Sequence, residues 1–295
     1  MANPLLAFST ELADRVAGAG SFVVSIAGHP RFTSSGIHWG DGLVWTADHA
    51  LKRADPLAVT LPSGVTVSAR RVGRDPATDV ALLRLEDEVG VGVAAASDGE
   101  SARAGALTLV VGRSAHSGVT ASMGVISSVG GAWRTWGGGQ MEQRIQLDMS
   151  LYPSSNGGAV VDMSGRVIGM ATSALSRLGA VVVPSATLTR SLQQLLERGH
   201  VARGYLGVGL RPVQVANREE PALITLSVEP GSAADHAGWL VGDILLGLDG
   251  KTVTEPEHVL EALGPQSVGK TLEASILRGG AAVTFAVVVG EQKGE

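Results

Sequence analysis

The residues that could do chemistry fall in three short segments. His49 closes the run Trp45-Thr46-Ala47-Asp48-His49, directly after the apolar stretch 43–45. A general base needs such rigid placement, although a lone histidine at the end of an apolar run also reads as structural. Asp79 sits in Arg74-Asp75-Pro76-Ala77-Thr78-Asp79-Val80-Ala81-Leu82-Leu83 and leads into a stretch with no polar side chain before Arg84. A carboxylate buried there needs a partner. The bland reading of Asp79 is a turn cap, and for Asp75 before Pro76 that is the better reading. The third segment is Tyr152-Pro153-Ser154-Ser155-Asn156-Gly157-Gly158-Ala159-Val160-Val161, whose Asn156-Gly157 pair reads by itself as a tight hairpin turn.

The elements that must position these residues are strands. Short runs of valine, isoleucine and leucine punctuated by glycine or proline predict strands over 21–26, 42–46, 57–61, 65–72, 80–85, 107–111, 119–128 and 144–147. Such spacing suggests a barrel or sandwich. Leu188, Leu192, Leu195 and Leu196 repeat at helical spacing and predict a helix over 185–198, with a serine to cap its start and Gly199 to end it. The glycine-rich stretches Gly130-Gly131 and 137–139, flanking Trp133 and Trp136, read as a mobile loop with aromatic anchors. The pattern restarts after Arg203 with an α+β texture that ends in a hairpin around Gly279-Gly280. With 295 residues the chain is longer than one core usually serves, and two domains, 1–200 and 201–295, are expected.

Composition bounds the function. Hydrophobic residues at 44% and charged residues at 17% are those of a globular protein, and no apolar run is long enough to span a membrane. A net charge of -5 with scattered basic residues disfavours nucleic acid and anionic membranes as partners. The absence of cysteine excludes disulfides, thiol catalysis and zinc-thiolate sites. No Walker loop or HExxH pair is present and Gly90-Val91-Gly92 lacks a third glycine, so no cofactor or metal is expected. Glu11 and Asp14 stand where a signal peptide needs a basic start and an apolar run, which predicts a cytoplasmic protein unless a leader was trimmed.

Taken together, Thr46-Ala47-Asp48-His49 and Thr78-Asp79-Val80-Ala81-Leu82-Leu83 resemble the histidine and aspartate segments of trypsin-like serine proteases of the HtrA (DegP) type. The resemblance implies that His49 is the general base and that Asp79 sets its tautomer and stabilises the imidazolium. The family's nucleophile loop reads Gly-x-Ser-Gly-Gly, then a small residue or proline and an apolar pair. Aligned on Gly157-Gly158, the serine position holds Asn156 and the preceding glycine is Ser154. The implied oxyanion donors are the N–H groups of Ser154 and Asn156. A carboxamide nitrogen is not a nucleophile that His49 could activate, so Asn156 cannot form an acyl intermediate. Ser154 keeps its N–H but lacks the conformational freedom of glycine. The alternative is an active serine endopeptidase of protein quality control, with Asn156 an introduced change or Ser155 a displaced nucleophile. A slip of one residue, however, exceeds the tolerance of a catalytic constellation, on the order of half an ångström.

In the family, 167–171 and the following Thr172-Ser173 correspond to the segment that pairs with the substrate backbone. Downstream, Arg203-Gly204-Tyr205-Leu206-Gly207-Val208 resembles the carboxylate-binding loop that opens PDZ domains in HtrA proteins. Tyr205, Leu206, Gly207 and Val208 would then bind a peptide C-terminus. The peptide would extend 207–210 as an added strand, its last side chain against a helix carrying Val259 and Leu263. The implied fold is mainly β, a double six-stranded β-barrel of the trypsin-like type followed by a small α+β PDZ domain. The implied partners are unfolded or extended polypeptides and protein C-termini. A homo-oligomer is also implied, a trimer formed through N-terminal segments in which Phe8 or Phe22 makes contact.

Overall fold

β-Branched runs alternating with glycine turns produce strands from residue 23 to residue 184. In the computed structural model, which describes residues 3–87, 90–97, 99–176, 179–216 and 218–291, the chain divides into the units Met1–His200 and Val201–Glu295. The first unit holds two closed six-stranded barrels. One is formed by β1 (Val23–Ile26), β2 (Ser34–Gly40), β3 (Leu43–Ala47), β4 (Leu57–Thr60), β5 (Thr66–Asp75) and β6 (Val80–Leu85), in the order β1-β2-β3-β6-β5-β4. The next strands are β7 (Leu107–Ser114) and β8 (Gly118–Gly130), the short pair β9 (Trp133–Arg134) and β10 (Gln140–Met141), then β11 (Arg144–Leu147), β12 (Ala159–Val161), β13 (Val167–Thr172) and β14 (Val181–Pro184). The second barrel runs β11-β14-β13-β12-β7-β8 and leaves β9 and β10 as a separate hairpin. Each barrel has its own apolar core, with Val24, Ile26, Val44 and Leu83 in the first and Val110, Ile126, Ile145 and Val160 in the second. Each such side chain contributes about 1.5–3 kcal/mol by leaving water.

Helix α1 (Pro4–Gly20) precedes the barrels and was not expected from the strand pattern. Asn3 caps it by accepting the Leu5 N–H at 3.1 Å, and Pro4 suits its first turn. Its last residues, Ala19 and Gly20, are buried, whereas Leu5, Leu6 and Phe8 are exposed. Phe22 is only 7% exposed, so it packs inside the unit and is not available as an oligomer contact. Helix α2 (Ser185–Arg198) has the expected bounds but not the expected cap, because the Ser185 hydroxyl donates to the Val167 carbonyl at 2.6 Å. Gly199 ends it at φ 74°. The glycine-rich stretch expected to be a mobile loop with aromatic anchors forms the β9–β10 hairpin, in which Thr135 is buried and Trp136 at the tip is 94% exposed.

The second unit comprises β15 (Gly204–Tyr205), β16 (Val208–Val213), β17 (Ala222–Val228), α3 (Ala233–His236), β18 (Ile244–Leu248), β19 (Lys251–Thr252), α4 (Pro256–Ala262), β20 (Thr271–Arg278), β21 (Ala281–Val288) and β22 (Gly290–Glu291). Its sheet runs β16-β17-β18-β20-β21, so β16 is an edge strand. Trp239 anchors the core, its indole N–H donating to Thr225 Oγ1 at 2.9 Å and its ring meeting Phe285 edge-on. Among the described residues no helix is long and apolar enough to cross a membrane.

Candidate active site and peptide-binding loop

Pairing of β3 with β6 sets Ala47 opposite Val80, which brings the residues just beyond β3 to those just before β6. His49 lies there on a single 3₁₀ turn, Asp48–Ala50. Asp79 is 3% exposed and accepts the His49 backbone N–H at 2.9 Å through Oδ1. The His49 ring approaches with Nδ1 2.8 Å from Oδ2, so Nδ1 carries the proton and Nε2 is left as the basic nitrogen. The hydrogen bond to Asp79, reinforced by its charge, holds the imidazole above its ordinary value, against burial and the positive charge of Lys52. Asp75 caps its turn, accepting the Ala77 N–H and the Thr78 hydroxyl.

Sequence reasoning missed what holds Asp79 from its other side. Thr172, fully buried at the end of β13, donates its hydroxyl to Asp79 Oδ2. A polar residue closing the apolar run 167–172 was the available signal.

The Asn156 loop is pinned by backbone and side chain together. Residues Pro153–Ser155 form a 3₁₀ turn in which the Asn156 N–H donates to the Pro153 carbonyl at 3.3 Å. From β2, the Ser35 N–H donates to the Asn156 carbonyl at 2.9 Å and the Ser35 hydroxyl to the Ser154 carbonyl at 2.5 Å. Gly157 stands at φ 80°, and a Cβ there would lie 2.2 Å from the Ser35 carbonyl oxygen, so only glycine fits. The Asn156 carboxamide turns to Ser173: Oδ1 accepts the Ser173 N–H and hydroxyl, each at 2.9 Å. Among the described residues no hydrogen bond joins Asn156 or Ser155 to His49. Ser155 is 3% exposed and its N–H donates to Tyr152. Two expectations therefore change. The Asn156 N–H, expected to face an oxyanion, faces the Pro153 carbonyl, because the tight turn closes on it. The backbone of 167–171, expected to pair with a substrate, is flanked by β12 and β14 within the barrel, which leaves the segment from Thr172 onward.

In the second unit, Gly207 at φ 78° turns the chain between β15 and β16. The Leu206 carbonyl accepts the Ala234 N–H and the Gly207 carbonyl accepts the Glu229 N–H, which fixes the loop. The N–H groups of Leu206 and Gly207 form no hydrogen bond among the described residues. Tyr205 donates its hydroxyl to Glu229, while Val208 begins the edge strand. Val259 and Leu263 are buried in the core with Leu206, and Val208 and Leu210 pack against them.

Residues 34–170 match the trypsin-like peptidase domain family and residues 204–289 the PDZ domain family. A probable periplasmic serine endoprotease, DegP-like, from Brucella suis is 30% identical over 266 residues, covering 85% of this chain and 51% of that protein. A probable periplasmic serine protease do/HhoA-like from Haemophilus influenzae is 30% identical over 258 residues, covering 83% and 54%. The chain thus spans about half the length of the curated relatives it matches. Among solved structures, the HtrA-type protease AlgW with decapeptide superposes with TM-score 0.78 at 25% identity over 96% of this chain and 99% of that one. The serine endoprotease from Yersinia pestis does so with TM-score 0.77 at 25% identity over 95% and 98%. The relatives' names point to the periplasm and overturn the cytoplasmic expectation. That expectation rested on Glu11 and Asp14, which lie within helix α1 of the first unit.

Proposed function

This chain belongs to the HtrA-type trypsin-like proteases with a PDZ domain, and on that premise we propose that it is a pseudoprotease that captures extended polypeptides and their C-termini. The observation that carries the reading is the state of Asn156. At the position of the family's serine stands a carboxamide bound to Ser173, with its N–H turned to Pro153. His49 and Asp79 keep the geometry of base and orienting carboxylate, and among the described residues the hydrogen bonds of the ring are those of Nδ1 to Asp79, with no hydroxyl on Nε2. Without a nucleophile the acyl route is closed.

Binding survives the loss. The Leu206 and Gly207 N–H groups suit a terminal carboxylate, and the free edge of β16 suits the strand that leads to it. In the cleft the offered backbone is short, because Asn156 already occupies the Ser173 N–H and Thr172 Oγ1 the Ala174 N–H. The second unit is therefore the principal peptide site. A homo-oligomer, with a trimer as the expected form, would use the exposed Leu5, Leu6 and Phe8 of α1.

Casein digestion together with a serine-directed fluorophosphonate probe tests the proposal. We expect no cleavage and no labelling. Labelling at Ser155 with casein turnover would overturn it and restore an active endopeptidase.

A further inference from the structure

The β9–β10 hairpin belongs to neither barrel, yet it closes on the turn that delivers Asp79. Thr135 is 4% exposed, and its hydroxyl donates to the Ala77 carbonyl at 2.6 Å while accepting the Gly139 N–H at 3.0 Å. Two glycines make the approach possible. A Cβ on Gly139 would lie 2.6 Å from the Ala77 oxygen, and one on Gly137 would lie 2.9 Å from the Ala77 Cβ. From within the turn, Asp75 holds the Ala77 N–H at 3.2 Å and the Thr78 hydroxyl at 2.6 Å.

The turn needs this support. Asp79 has φ 56°, a left-handed conformation uncommon outside glycine that persists where the surroundings over-determine it. The hairpin itself is anchored to α2, where Glu142 accepts the Thr187 hydroxyl and Arg190 Nε, and Arg190 also donates to the Gln140 carbonyl at 2.7 Å. A hydroxyl on a separately anchored element therefore grips the carbonyl two residues before Asp79.

We infer that Thr135 is a positioning residue for the His49–Asp79 pair, fixing the Ala77 carbonyl and through it the turn that holds the carboxylate against the imidazole. The inference rests on reading that pair as base and orienting carboxylate, but its test needs no turnover. A failure to obtain activity by restoring a serine therefore leaves it standing or falling on its own measurement.

The experiment is an NMR titration of the His49 ring in the full chain, as wild type and as Thr135→Val, Thr135→Ser and Trp136→Ala. Loss of the hydroxyl in Thr135→Val loosens the Asp79 hydrogen bond. We expect His49 to titrate about half a pH unit lower, roughly a threefold weaker hold on its proton. Thr135→Ser keeps the donor and should titrate like wild type, as should Trp136→Ala on the exposed tip. Should Thr135→Val not fold, Thr135→Ala carries the same test without a methyl in place of the buried hydroxyl. A folded Val or Ala variant that titrates like wild type overturns the inference. So does a Ser variant that shifts as far as Val, or unfolding of both Val and Ala, which would make the hydroxyl a support of the fold alone.

Discussion

The carboxamide oxygen of Asn156 accepts two hydrogen bonds from a single residue, the N–H and the hydroxyl of Ser173, both at 2.9 Å. A serine restored at 156 loses those bonds but inherits the backbone one, in which the residue-156 N–H faces the Pro153 carbonyl. Asn156→Ser alone should therefore regain a nucleophile without a formed oxyanion hole. Adding Ser154→Gly gives the turn the freedom to reverse. One oxyanion donor is worth about 10²–10³ in kcat, so the double variant should exceed the single one by about that factor. Fluorophosphonate labelling rates and kcat on a fluorogenic peptide measure it, and equal rates would show that the turn opens unaided.

His49 predicts a pH dependence of stability in the first unit. Its folded value is raised, first by the Asp79 hydrogen bond. The stabilisation is then fully present below the unfolded histidine value, about 6.5, and is lost as pH rises through the higher folded value. Calorimetry across that window should show the Tm of the first unit falling towards alkaline pH. Asp79→Asn should flatten the dependence, and an unchanged slope in that variant would place its origin elsewhere.

The second unit should respond with the opposite sign. Asp243 is 2% exposed; burial alone would raise its carboxyl, but the Arg278 fork at 2.8 and 2.6 Å and the Leu240 N–H outweigh burial and hold it below the usual range. This stabilisation is present above the unfolded carboxylate value, about 3.9, and is lost as pH falls through the lower folded value. Arg278→Met leaves the buried carboxylate without its fork and should cost about 2–3 kcal/mol in urea unfolding at neutral pH. Amide NMR signals of residues 201–291 should then vanish at a higher pH on acidification than in wild type.

How much of this was legible depends on distance along the chain. The bounds 80–85, 144–147 and 185–198 emerge as expected, because apolar runs and leucine spacing act locally. His49 and Asp79 could be paired only through the resemblance of their two segments to the HtrA pattern, since each alone also reads as structural. Thr172 and Ser35 could not, because they reach Asp79 and Ser154 across the barrels and nothing near them in the sequence shows the partner. Strand β2, Ser-Ser-Gly-Ile-His-Trp-Gly, reads as polar yet is largely buried, its Ser35 engaging the Asn156 loop through its hydroxyl and Thr46 through its carbonyl. Helix α1 escaped notice because much of its apolar side is exposed.

Recognition of a peptide terminus should depend on its charge. The Leu206 and Gly207 N–H groups would donate to a carboxylate, and charge-assisted bonds are roughly twice as strong as neutral ones. A peptide ending in a free carboxylate should bind at least about tenfold more tightly than its C-terminal amide. Gly207→Ala should abolish the difference, since a Cβ there would lie 2.2 Å from the Ser232 Cβ. Fluorescence anisotropy with the two peptides reads both effects, and equal affinities in wild type would remove the loop from recognition.

The Asn156-Gly157 pair should age slowly despite its composition. Deamidation requires the Gly157 nitrogen to attack the Asn156 side-chain carbonyl carbon, forming a succinimide and releasing ammonia before water opens the ring to aspartate or isoaspartate. Here the Gly157 N–H donates to the Ala171 carbonyl at 2.9 Å, and Asn156 is 5% exposed with its carboxamide held by Ser173. Attack would require breaking all of these bonds, so the reaction should proceed mainly through the unfolded chain. Peptide mapping after prolonged incubation should find Asn156 intact in the native protein and converted in urea. Ser173→Ala, which removes one of the two bonds to Oδ1, should age at an intermediate rate. Conversion in the native protein as fast as in urea would show that the loop opens far more often than its hydrogen bonds imply.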